Sequence, residues 1–364
     1  MARDPFQLVQ HHGLTWLESA AFARFPWLIH GFCTRQVLST RKGRSTRPRA
    51  DFNLGLTADA QPRQVEANRQ RFYRALGSDL IAASLRQIHS ATVYEVVRPA
   101  PRARGTHSTR EVLEYRPAGW RLPDWAQNRR NPSVAGARLE ARSRPPQPEN
   151  GRLAAGDALV ASARGVLLTV RTADCLPVLL VDTRLRVVAA IHAGWRGALG
   201  RIIEKTVSDL RRLFNSHPEQ LEAALGPAIG RCCYEVGEEV VDAFEGRFVE
   251  SSRFFHQPAP GAEPIRSDLR YAVLFEIQTP LGHGRPSSKT RRLHLDLAAV
   301  ARDQLRRAGL DDAAIHNSGY CTACRPDLFF SHRREGAQAG RMMAAIAVRA
   351  SATELRAPGP QNDN

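Results

Sequence analysis

The sequence predicts an α+β fold built on a mixed sheet. Three short apolar runs follow one another closely: GVLLTV (165–170), PVLLV (177–181) and VVAAI (187–191). Consecutive β-branched and apolar residues over this length are typical of buried strands. The connections between them are too short for regular β-α-β crossovers, which disfavours a doubly wound fold. With 364 residues, 43% of them hydrophobic, the chain can build one large domain or two small ones.

The N-terminal part of the chain, residues 5–97, has the composition of ordinary globular sequence. The segments WLIHGF (27–32) and ATVYEVV (91–97) have the pattern of strands. Between them, QVEANRQRFYRALG (64–77) has the pattern of a helix, which we expect to end at Gly77 as its C-cap.

Three further helices are predicted in the C-terminal half. In GRIIEKTVSDLRRLF (200–214), apolar residues recur at spacings of four, three and four, which places them on one helix face. They are Ile203, Val207, Leu210 and Phe214. The segment LDLAAVARDQLRRAGL (295–310) predicts a helix capped by Asp296 and stopped at Gly309. We predict a last helix over GRMMAAIAVRA (340–350).

The net charge of +16 is concentrated in stretches rich in Pro, Gly or Ser. Residues 35–49 carry six basic residues and no acid, and residues 98–144 carry eleven arginines against four acids. We interpret 99–152 as an Arg/Pro-rich insertion, because so long a loop is uncommon inside a compact domain, and 258–292 as a basic loop. The charge suggests a nucleic-acid partner, but the basic runs lack the interleaved aromatic residues of single-strand binders. Exposed loops are the favoured interpretation.

The sequence also favours a cytoplasmic protein without a membrane span. No stretch approaches the eighteen consecutive apolar residues of a transmembrane helix. The first sixteen residues, MARDPFQLVQHHGLTW, lack the apolar core of a signal peptide. The six cysteines follow no regular framework, which is expected of reduced thiols in a cytoplasm.

Cys175 stands directly before one of the predicted buried strands. The segment DTRLR (182–186) is too short for a parallel crossover, so the strands on either side of it form an antiparallel hairpin. If Val181 faces Val187, Cys175 lies opposite Ala193 and beside His192. A thiolate and an imidazole this close can share a zinc ion or act as a nucleophile and base. A buried cysteine next to a capping histidine is the structural alternative.

The segment HAGWRGALG (192–200) after the second strand predicts a strand end, a tight turn and a helix start. Glycines there allow a ligand to approach the backbone, and a helix N-terminus favours an anion. Arg196 can add a phosphate contact, although an exposed arginine or simple turn chemistry fits as well.

The sequence from 156 to 202, GDALVASARGVLLTVRTADCLPVLLVDTRLRVVAAIHAGWRGALGRI, resembles the core signature of the YfiH-like laccase-domain family. This group is named multicopper polyphenol oxidase or purine nucleoside phosphorylase. Other family motifs occur in the same order and span most of residues 28–346. They are GFCTR, DFNLG, NRQRF, LRQIHSATV, ALGPAIGRCCYEVGEEV, LDLAAV and CTACRPDLFFSHRREGAQAGRM.

This resemblance implies a single α/β sandwich-like domain, 1–364, with central mixed sheets flanked by helices and one zinc ion. By motif the zinc ligands are His89, Cys175 and His192. Three protein ligands leave a fourth position for water or substrate, as in catalytic zinc sites. The activities implied are phosphorolysis of adenosine, inosine, guanosine and methylthioadenosine, together with adenosine deamination.

Further residues are candidates by motif position. Cys175 and Asp174 are the candidate catalytic residues, with Asp174 as acid or base or as a group that orients a zinc ligand. Candidate contacts to nucleoside or phosphate are Arg35, Asn53, Arg196 and Arg333. We interpret Cys232, Cys233 and the pair Cys321 and Cys324 as pocket-wall or packing residues, because the chain has no second Cys-x-x-Cys pair.

Three other functions compete with this hypothesis. Copper-dependent phenol oxidation needs His-x-His pairs for a trinuclear centre, and the chain has none. A zinc-dependent amidase that edits cell-wall precursors would use the same metal. Binding of nucleic acid through the arginine-rich loops would give steeply salt-dependent retention without turnover.

Overall fold

The computed structural model describes residues 4–37, 40–41, 44–45, 52–57, 59–98, 113–118, 153–258 and 293–350. Two large β-sheets lie face to face, and helices pack on the outer side of each. Both sheets contain parallel as well as antiparallel neighbours. The predicted class, a mixed α/β sandwich with central mixed sheets flanked by helices, is therefore confirmed.

The first large sheet has six strands. In spatial order they are β1 (Phe6–His11), β2 (Leu14–Ser19), β3 (Leu28–Val37), β18 (Met342–Val348), β10 (Val166–Thr172) and β6 (Ile81–Ala83). The second large sheet has seven. In spatial order they are β17 (Ile315–Asn317), β13 (Leu221–Leu225), β11 (Leu176–Asp182), β12 (Val187–Ala193), β9 (Ala158–Ala161), β7 (Val93–Val97) and β8 (Glu114–Pro117).

The remaining elements are smaller sheets and helices around this pair. One small sheet consists of β14 (Glu235–Val236), β16 (Leu293–Leu295) and β15 (Phe255–His256), and another of β4 (Thr40–Arg41) and β5 (Arg44–Ser45). The α-helices of the described ranges are α1 (Ala20–Ala23), α2 (Pro62–Leu76), α3 (Trp195–Leu199), α4 (Ile202–Phe214), α5 (Glu238–Glu245), α6 (Leu297–Arg307) and α7 (His332–Glu335). Short 3₁₀ helices cover Pro218–Gln220, Ser251–Phe254, Asp312–Ala314 and Gly336–Gln338. Within these ranges, no helix combines the length and the apolar composition that a membrane span requires.

The alternation of side chains along β11 shows how the core is layered. Leu179 and Val181 point into the interface between the two large sheets, whereas Val178 and Leu180 point to the side covered by α4 and α6. Because both faces of this strand are covered, every position from Leu176 to Asp182 is buried. A strand buried on both faces needs apolar residues at successive positions, which explains the continuous apolar runs of the sequence.

Three of the predicted helices are confirmed. Helix α2 ends at Gly77, helix α4 buries Ile203, Val207 and Leu210, and helix α6 begins at Asp296. The Asp296 carboxylate accepts a hydrogen bond from the Ala299 amide at 2.9 Å, so the predicted N-cap is formed.

The helix predicted over 340–350 is wrong, because this segment forms strand β18. It lies between β3 and β10 in the centre of the first sheet, and every position from Met342 to Val348 is buried. Met and Ala favour helices, but burial on both faces of a sheet overrides that preference. A short apolar run carries no periodicity that separates the two structures.

The predicted hairpin is confirmed, but its predicted register is wrong by one residue. Val181 pairs with Val188 rather than Val187, and the pair that closes the loop is Asp182 with Val187. The Asp182 carboxylate accepts hydrogen bonds from the amides of Arg184 and Leu185 at 2.9 and 2.7 Å. This side chain fixes a four-residue loop where a five-residue loop was predicted.

Most of the two predicted basic insertions lies outside the described residues, namely 99–112, 119–152 and 259–292. Within the first of them, Glu114–Pro117 forms the edge strand β8, which pairs with β7. This part of the insertion therefore extends the second sheet. The division into a single domain over 1–364 stays a prediction.

Candidate metal centre

The structure brings together the three predicted ligands, His89, Cys175 and His192. One nitrogen or sulfur atom from each lies within 4.8 Å of those of the other two. The distance from Cys175 Sγ to His89 Nε2 is 3.7 Å, and the two imidazole rings cross at 71° with centroids 4.9 Å apart. His192 is buried, Cys175 is half-buried and His89 is exposed, so the group reaches the surface on the His89 side.

The register of the hairpin places Cys175 and His192 on the same face of the second sheet. In the observed pairing, Pro177 lies opposite His192, and the next step places Cys175 opposite Gly194. Residues two apart share a face, so Cys175 and His192 are diagonal neighbours. A β-carbon on Gly194 would lie 2.9 Å from Cys175 Sγ and 3.0 Å from His89 Cδ2. Only glycine therefore leaves room for the two side chains.

Asp157 holds the loop that carries His89. This buried carboxylate accepts hydrogen bonds from the amides of His89 at 3.0 Å and Ser90 at 2.6 Å, and from the Ser90 hydroxyl at 2.7 Å. Those bonds fix a loop in which His89 has a φ of 58°, a conformation that is uncommon for residues other than glycine.

The same carboxylate also orients His192. The distance from Asp157 Oδ1 to His192 Nδ1 is 2.9 Å, so Nδ1 donates to the carboxylate and Nε2 is left for a ligand. One aspartate thus positions two candidate ligands. Asp157 belongs to the GDALV motif but was not predicted as a functional residue. Its place directly before a buried strand was the signal.

Electrostatics at the centre favour the thiolate. Burial opposes ionisation of Cys175, but the neighbouring His192 outweighs it and lowers the pKa of the thiol to about 6. Burial also opposes protonation of His192, but the Cys175 thiolate and the hydrogen bond to Asp157 raise its pKa to about 9. For Asp157, burial raises the pKa, yet the hydrogen bonds from His192 and Ser90 hold it below its usual value. The sulfur is therefore in its metal-binding form at neutral pH.

Asp174 connects the centre to two distant segments. Its Oδ1 accepts a hydrogen bond from the Thr322 hydroxyl and its Oδ2 from the Arg333 amide, both at 2.6 Å. Its carbonyl accepts one from the Ile229 amide at 2.9 Å. Both carboxylate oxygens therefore have donors within the protein, and neither donor is one of the predicted zinc ligands. The catalytic assignment of Asp174 stays a prediction.

Cationic groups surround the rim of the centre. Burial and the negative charges of Cys175 and Asp174 raise the pKa of the half-buried Tyr234, whereas the positive charges of Arg333 and Arg196 lower it. The Arg333 guanidinium lies 5.5 Å from the Tyr234 ring centroid and donates to the Glu235 carbonyl at 2.8 Å. Arg196 stacks on Trp195 at 4.5 Å. Two of the four predicted contacts to nucleoside or phosphate, Arg196 and Arg333, therefore act on the same tyrosine as the Cys175 thiolate.

Arg341 is a further cation that sequence reasoning missed. Burial lowers its pKa, and the negative charges of Cys175, Asp174 and Glu335 oppose that shift, so its guanidinium is within electrostatic reach of the centre. It belongs to the segment CTACRPDLFFSHRREGAQAGRM, in which Arg333 was the one arginine singled out.

The other two predicted substrate contacts, Arg35 and Asn53, use their side chains for hydrogen bonds within the protein. The Arg35 guanidinium donates to both carboxylate oxygens of Glu335, at 3.1 and 3.3 Å, and stacks on Phe330 at 4.2 Å. Asn53 Oδ1 accepts hydrogen bonds from the amides of Gly55 and Arg341, both at 2.8 Å. These contacts fix the position of the segment that contains Arg341. A direct contact of either residue with substrate stays a prediction.

Comparison with known proteins agrees with the motifs. The family model for multi-copper polyphenol oxidoreductase laccases matches residues 30–349. A purine nucleoside phosphorylase of Xylella fastidiosa is 31% identical over 310 residues, which cover 84% of this chain and 88% of that protein. The adenosine deaminase RL5 of an unidentified prokaryote is 35% identical over 191 residues, 52% of this chain and 61% of its own length.

The fold has a counterpart among solved structures. The crystal structure of the hypothetical protein YfiH of Bacillus licheniformis superimposes with a TM-score of 0.64 at 24% identity. The superposition covers 95% of this chain and all of that one. The chain therefore belongs to the multi-copper polyphenol oxidoreductase laccase family, the YfiH-like laccase-domain family whose motifs it carries.

Proposed function

We propose that this chain is a zinc-dependent purine nucleoside phosphorylase with adenosine deaminase as a side activity. It would use phosphate to cleave adenosine, inosine, guanosine or methylthioadenosine into the free base and ribose or methylthioribose 1-phosphate. The observation that carries the proposal is the group of three ligand atoms within 4.8 Å, which reaches the surface and is bordered by arginines. The names of the Xylella fastidiosa and RL5 relatives support the two activities.

The donor set fits zinc better than a multicopper centre. Two imidazoles and one thiolate are ligands that Zn²⁺ accepts, and three protein ligands are typical of catalytic zinc. In the described part of the chain, the only histidines grouped as possible metal ligands are His89 and His192, whereas a trinuclear copper centre needs many more. A zinc ion held there would supply a Lewis acid that polarises a bound substrate atom or water.

The chain's own residues supply the other requirements of phosphorolysis. Phosphate must be held near the sugar while the purine leaves, which calls for cationic donors. Arg196, Arg333 and Arg341 are the cations close to Cys175 and Tyr234. We assign them to phosphate and nucleoside binding. Asp174 fixes the backbone of Arg333 through its 2.6 Å hydrogen bond and so keeps that arginine in place beside the ligands.

The test is to incubate zinc-loaded chain with adenosine and phosphate and to identify the products by mass spectrometry. We expect adenine and ribose 1-phosphate, lost in Cys175→Ala. Cys33→Ala is the matched control, because Cys33 is buried in β3 and hydrogen-bonded to the Thr34 carbonyl. Inosine as the main product would make deamination the principal activity. Absence of any nucleoside turnover from zinc-loaded chain would refute the purine assignment and favour the amidase.

We further propose purine nucleosides and phosphate as the ligands, without a nucleic-acid or membrane partner, and a cytoplasmic location. All six cysteines are free thiols in the structure, as expected in a reducing compartment.

A further inference from the structure

Four cysteines meet at a second place in the molecule. They are Cys232, Cys233, Cys321 and Cys324, and their sulfur atoms all lie within 4.8 Å of one another. Cys324 Sγ is 3.5 Å from Cys232 Sγ and 3.4 Å from Cys233 Sγ. The sequence interpretation of these residues as packing segments rested on the missing second Cys-x-x-Cys pair, but the fold supplies an adjacent pair in its place.

The sheet topology brings the two pairs together. Strands β13 and β17 are parallel neighbours, so the segments that follow them leave the second sheet at the same end of the strands. The turn after β13 carries Cys232 and Cys233, and the turn after β17 carries Cys321 and Cys324. An isolated parallel bridge between Ala228 and Cys321 continues the pairing up to the cluster. The cluster is therefore fixed by backbone pairing.

The backbone around the sulfurs is arranged as in thiolate sites. The Gly230 amide donates to Cys321 Sγ at 3.2 Å, and the Gly230 carbonyl accepts from the Cys233 amide at 2.9 Å. A β-carbon on Gly230 would lie 3.3 Å from Cys232 Sγ and 3.3 Å from Cys321 Cβ, so this residue must be small to admit the sulfurs. Hydrogen bonds from amides to sulfur support thiolate ligands.

The spacing of the sulfurs suits a metal better than disulfides. Zinc binds thiolates at about 2.3 Å in a tetrahedron, which separates the sulfurs by about 3.8 Å. The observed separations, from 3.4 Å to at most 4.8 Å, bracket that value. A disulfide needs sulfurs at about 2.05 Å. All four thiols are free.

We propose that Cys232, Cys233, Cys321 and Cys324 bind a second zinc ion in a closed, four-thiolate site. Four protein ligands leave no position for water or substrate, so this ion is structural. The site does not rest on the proposed function, because it shares no ligand with the His89 centre.

The second ion would stabilise the two segments that hydrogen-bond to Asp174 beside the first centre. Thr322 lies between Cys321 and Cys324, and its hydroxyl donates to Asp174 Oδ1 at 2.6 Å. Ile229 precedes the other pair, and its amide donates to the Asp174 carbonyl at 2.9 Å. Zinc across the two turns would thus keep both donors on Asp174, the neighbour of Cys175.

The test is the zinc content of the full chain, purified under reducing conditions and measured by atomic emission. We expect two zinc ions per chain in the wild type, one in Cys324→Ser, one in His192→Ala and two in the Cys33→Ala control. Wild-type zinc content in Cys324→Ser overturns the proposal. Unchanged content in His192→Ala, with one ion lost in Cys324→Ser, contradicts the zinc of the proposed function and leaves this site standing.

Substitution by cobalt gives a spectroscopic readout that does not depend on the number of zinc ions per chain. Co²⁺ in a four-thiolate site has more intense sulfur-to-metal charge-transfer absorption than Co²⁺ at the His89 centre, where Cys175 is the one thiolate. We expect the intense absorption to persist in His192→Ala, and only the weaker absorption of the one-thiolate centre to remain in Cys324→Ser. If Cys324→Ser does not fold, Cys232→Ser replaces it, because it removes another exposed ligand of the same site. A non-reduced wild-type chain whose mass is lower by the hydrogens of one or two disulfides, with no bound metal, overturns the proposal.

Discussion

At the scale of single residues, the centre depends on a carboxylate that binds no metal itself. Asp157 is fully buried and accepts hydrogen bonds from His192 Nδ1, from the amides of the His89 loop and from the Ser90 hydroxyl. A buried charge is tolerated only when such donors compensate for its lost hydration. The donors that stabilise Asp157 are thus the groups that place the two histidines.

Replacing this carboxylate by an amide should weaken metal binding. In Asp157→Asn, one oxygen becomes an NH₂ group that faces amide donors, and His192 loses its anionic partner. We expect zinc affinity at this centre to fall about 10- to 100-fold. The measurement is the zinc concentration that protects Cys175 from alkylation, read by peptide mass spectrometry.

Asp182→Asn is the control for this substitution. Asp182 is equally buried, in the hairpin that follows Cys175, and its Oδ1 accepts hydrogen bonds from the loop amides of Arg184 and Leu185. Asparagine retains this oxygen, so we expect Asp182→Asn to keep the register of the hairpin and to leave the protection of Cys175 unchanged. Equal protection curves for Asp157→Asn and the wild type would contradict the assignment.

At the scale of elements, one residue of register decides whether the centre exists. Had Val181 paired with Val187, Cys175 would face Ala193, and His192 would point to the opposite side of the sheet, because successive side chains alternate. The observed pairing of Val181 with Val188 brings both ligands to one face. Apolar patterns predict the strands and the hairpin, but they do not contain the register, which the Asp182 side chain sets in the loop.

The space at Gly194 provides a test of this geometry. Its φ of −75° is accessible to any residue, so Gly194→Ala acts through the β-carbon, placed 2.9 Å from Cys175 Sγ. We expect a loss of about 1–3 kcal/mol in the free energy of unfolding, together with weaker zinc binding. Chemical denaturation with and without zinc measures both.

Gly246→Ala is the matched control for Gly194→Ala. Gly246 has a similar φ of −69°, and its β-carbon would meet only ordinary contacts at 3.5 Å and beyond. We expect unchanged zinc binding in this variant. An equal effect of the two substitutions on zinc binding would refute the steric account of Gly194.

The sequence predicts some secondary-structure elements and some residues of the site, but not others. Helices α2, α4 and α6 follow from their periodicity and caps, because each has one exposed face. Strand β18 does not, because its seven buried residues have no polar face to set a period. At the site, motif resemblance finds the three candidate ligands that the structure brings together. Asp157, Arg341 and the four-cysteine cluster depend on tertiary contacts between segments far apart in sequence.

At the scale of the whole molecule, a buried histidine in the first sheet couples stability to pH. His30 in β3 is 5% exposed, and its Nε2 accepts a hydrogen bond from the Ser19 amide at 3.0 Å. Burial lowers its pKa from 6.5 to about 4. The unfolded chain therefore takes up a proton below about pH 6.5, whereas the folded chain does so only near pH 4.

The sign of this linkage makes the protein less stable as the pH falls from about 6.5 to about 4. The lowered pKa corresponds to roughly 3 kcal/mol at most. We expect His30→Gln, which keeps an acceptor for Ser19, to lose less stability than the wild type between about pH 7 and pH 4.5. Urea denaturation at both pH values measures this, with the exposed His11→Gln as control. Parallel pH profiles for wild type and His30→Gln would exclude His30 as the source.

The positions of the candidate metal ligands have a consequence for the kinetics of unfolding. His89 lies on the connection from β6 in the first sheet to β7 in the second, and Cys175 on the connection from β10 to β11. An ion bound to both residues would cross-link the two connections between the sheets. Two of its ligands, His89 and Cys175, are 86 residues apart, so we expect them to meet only after the sheets have docked. Metal would then leave the rate of folding nearly unchanged and slow unfolding, so that the lifetime of the native state, more than its speed of formation, depends on the ion.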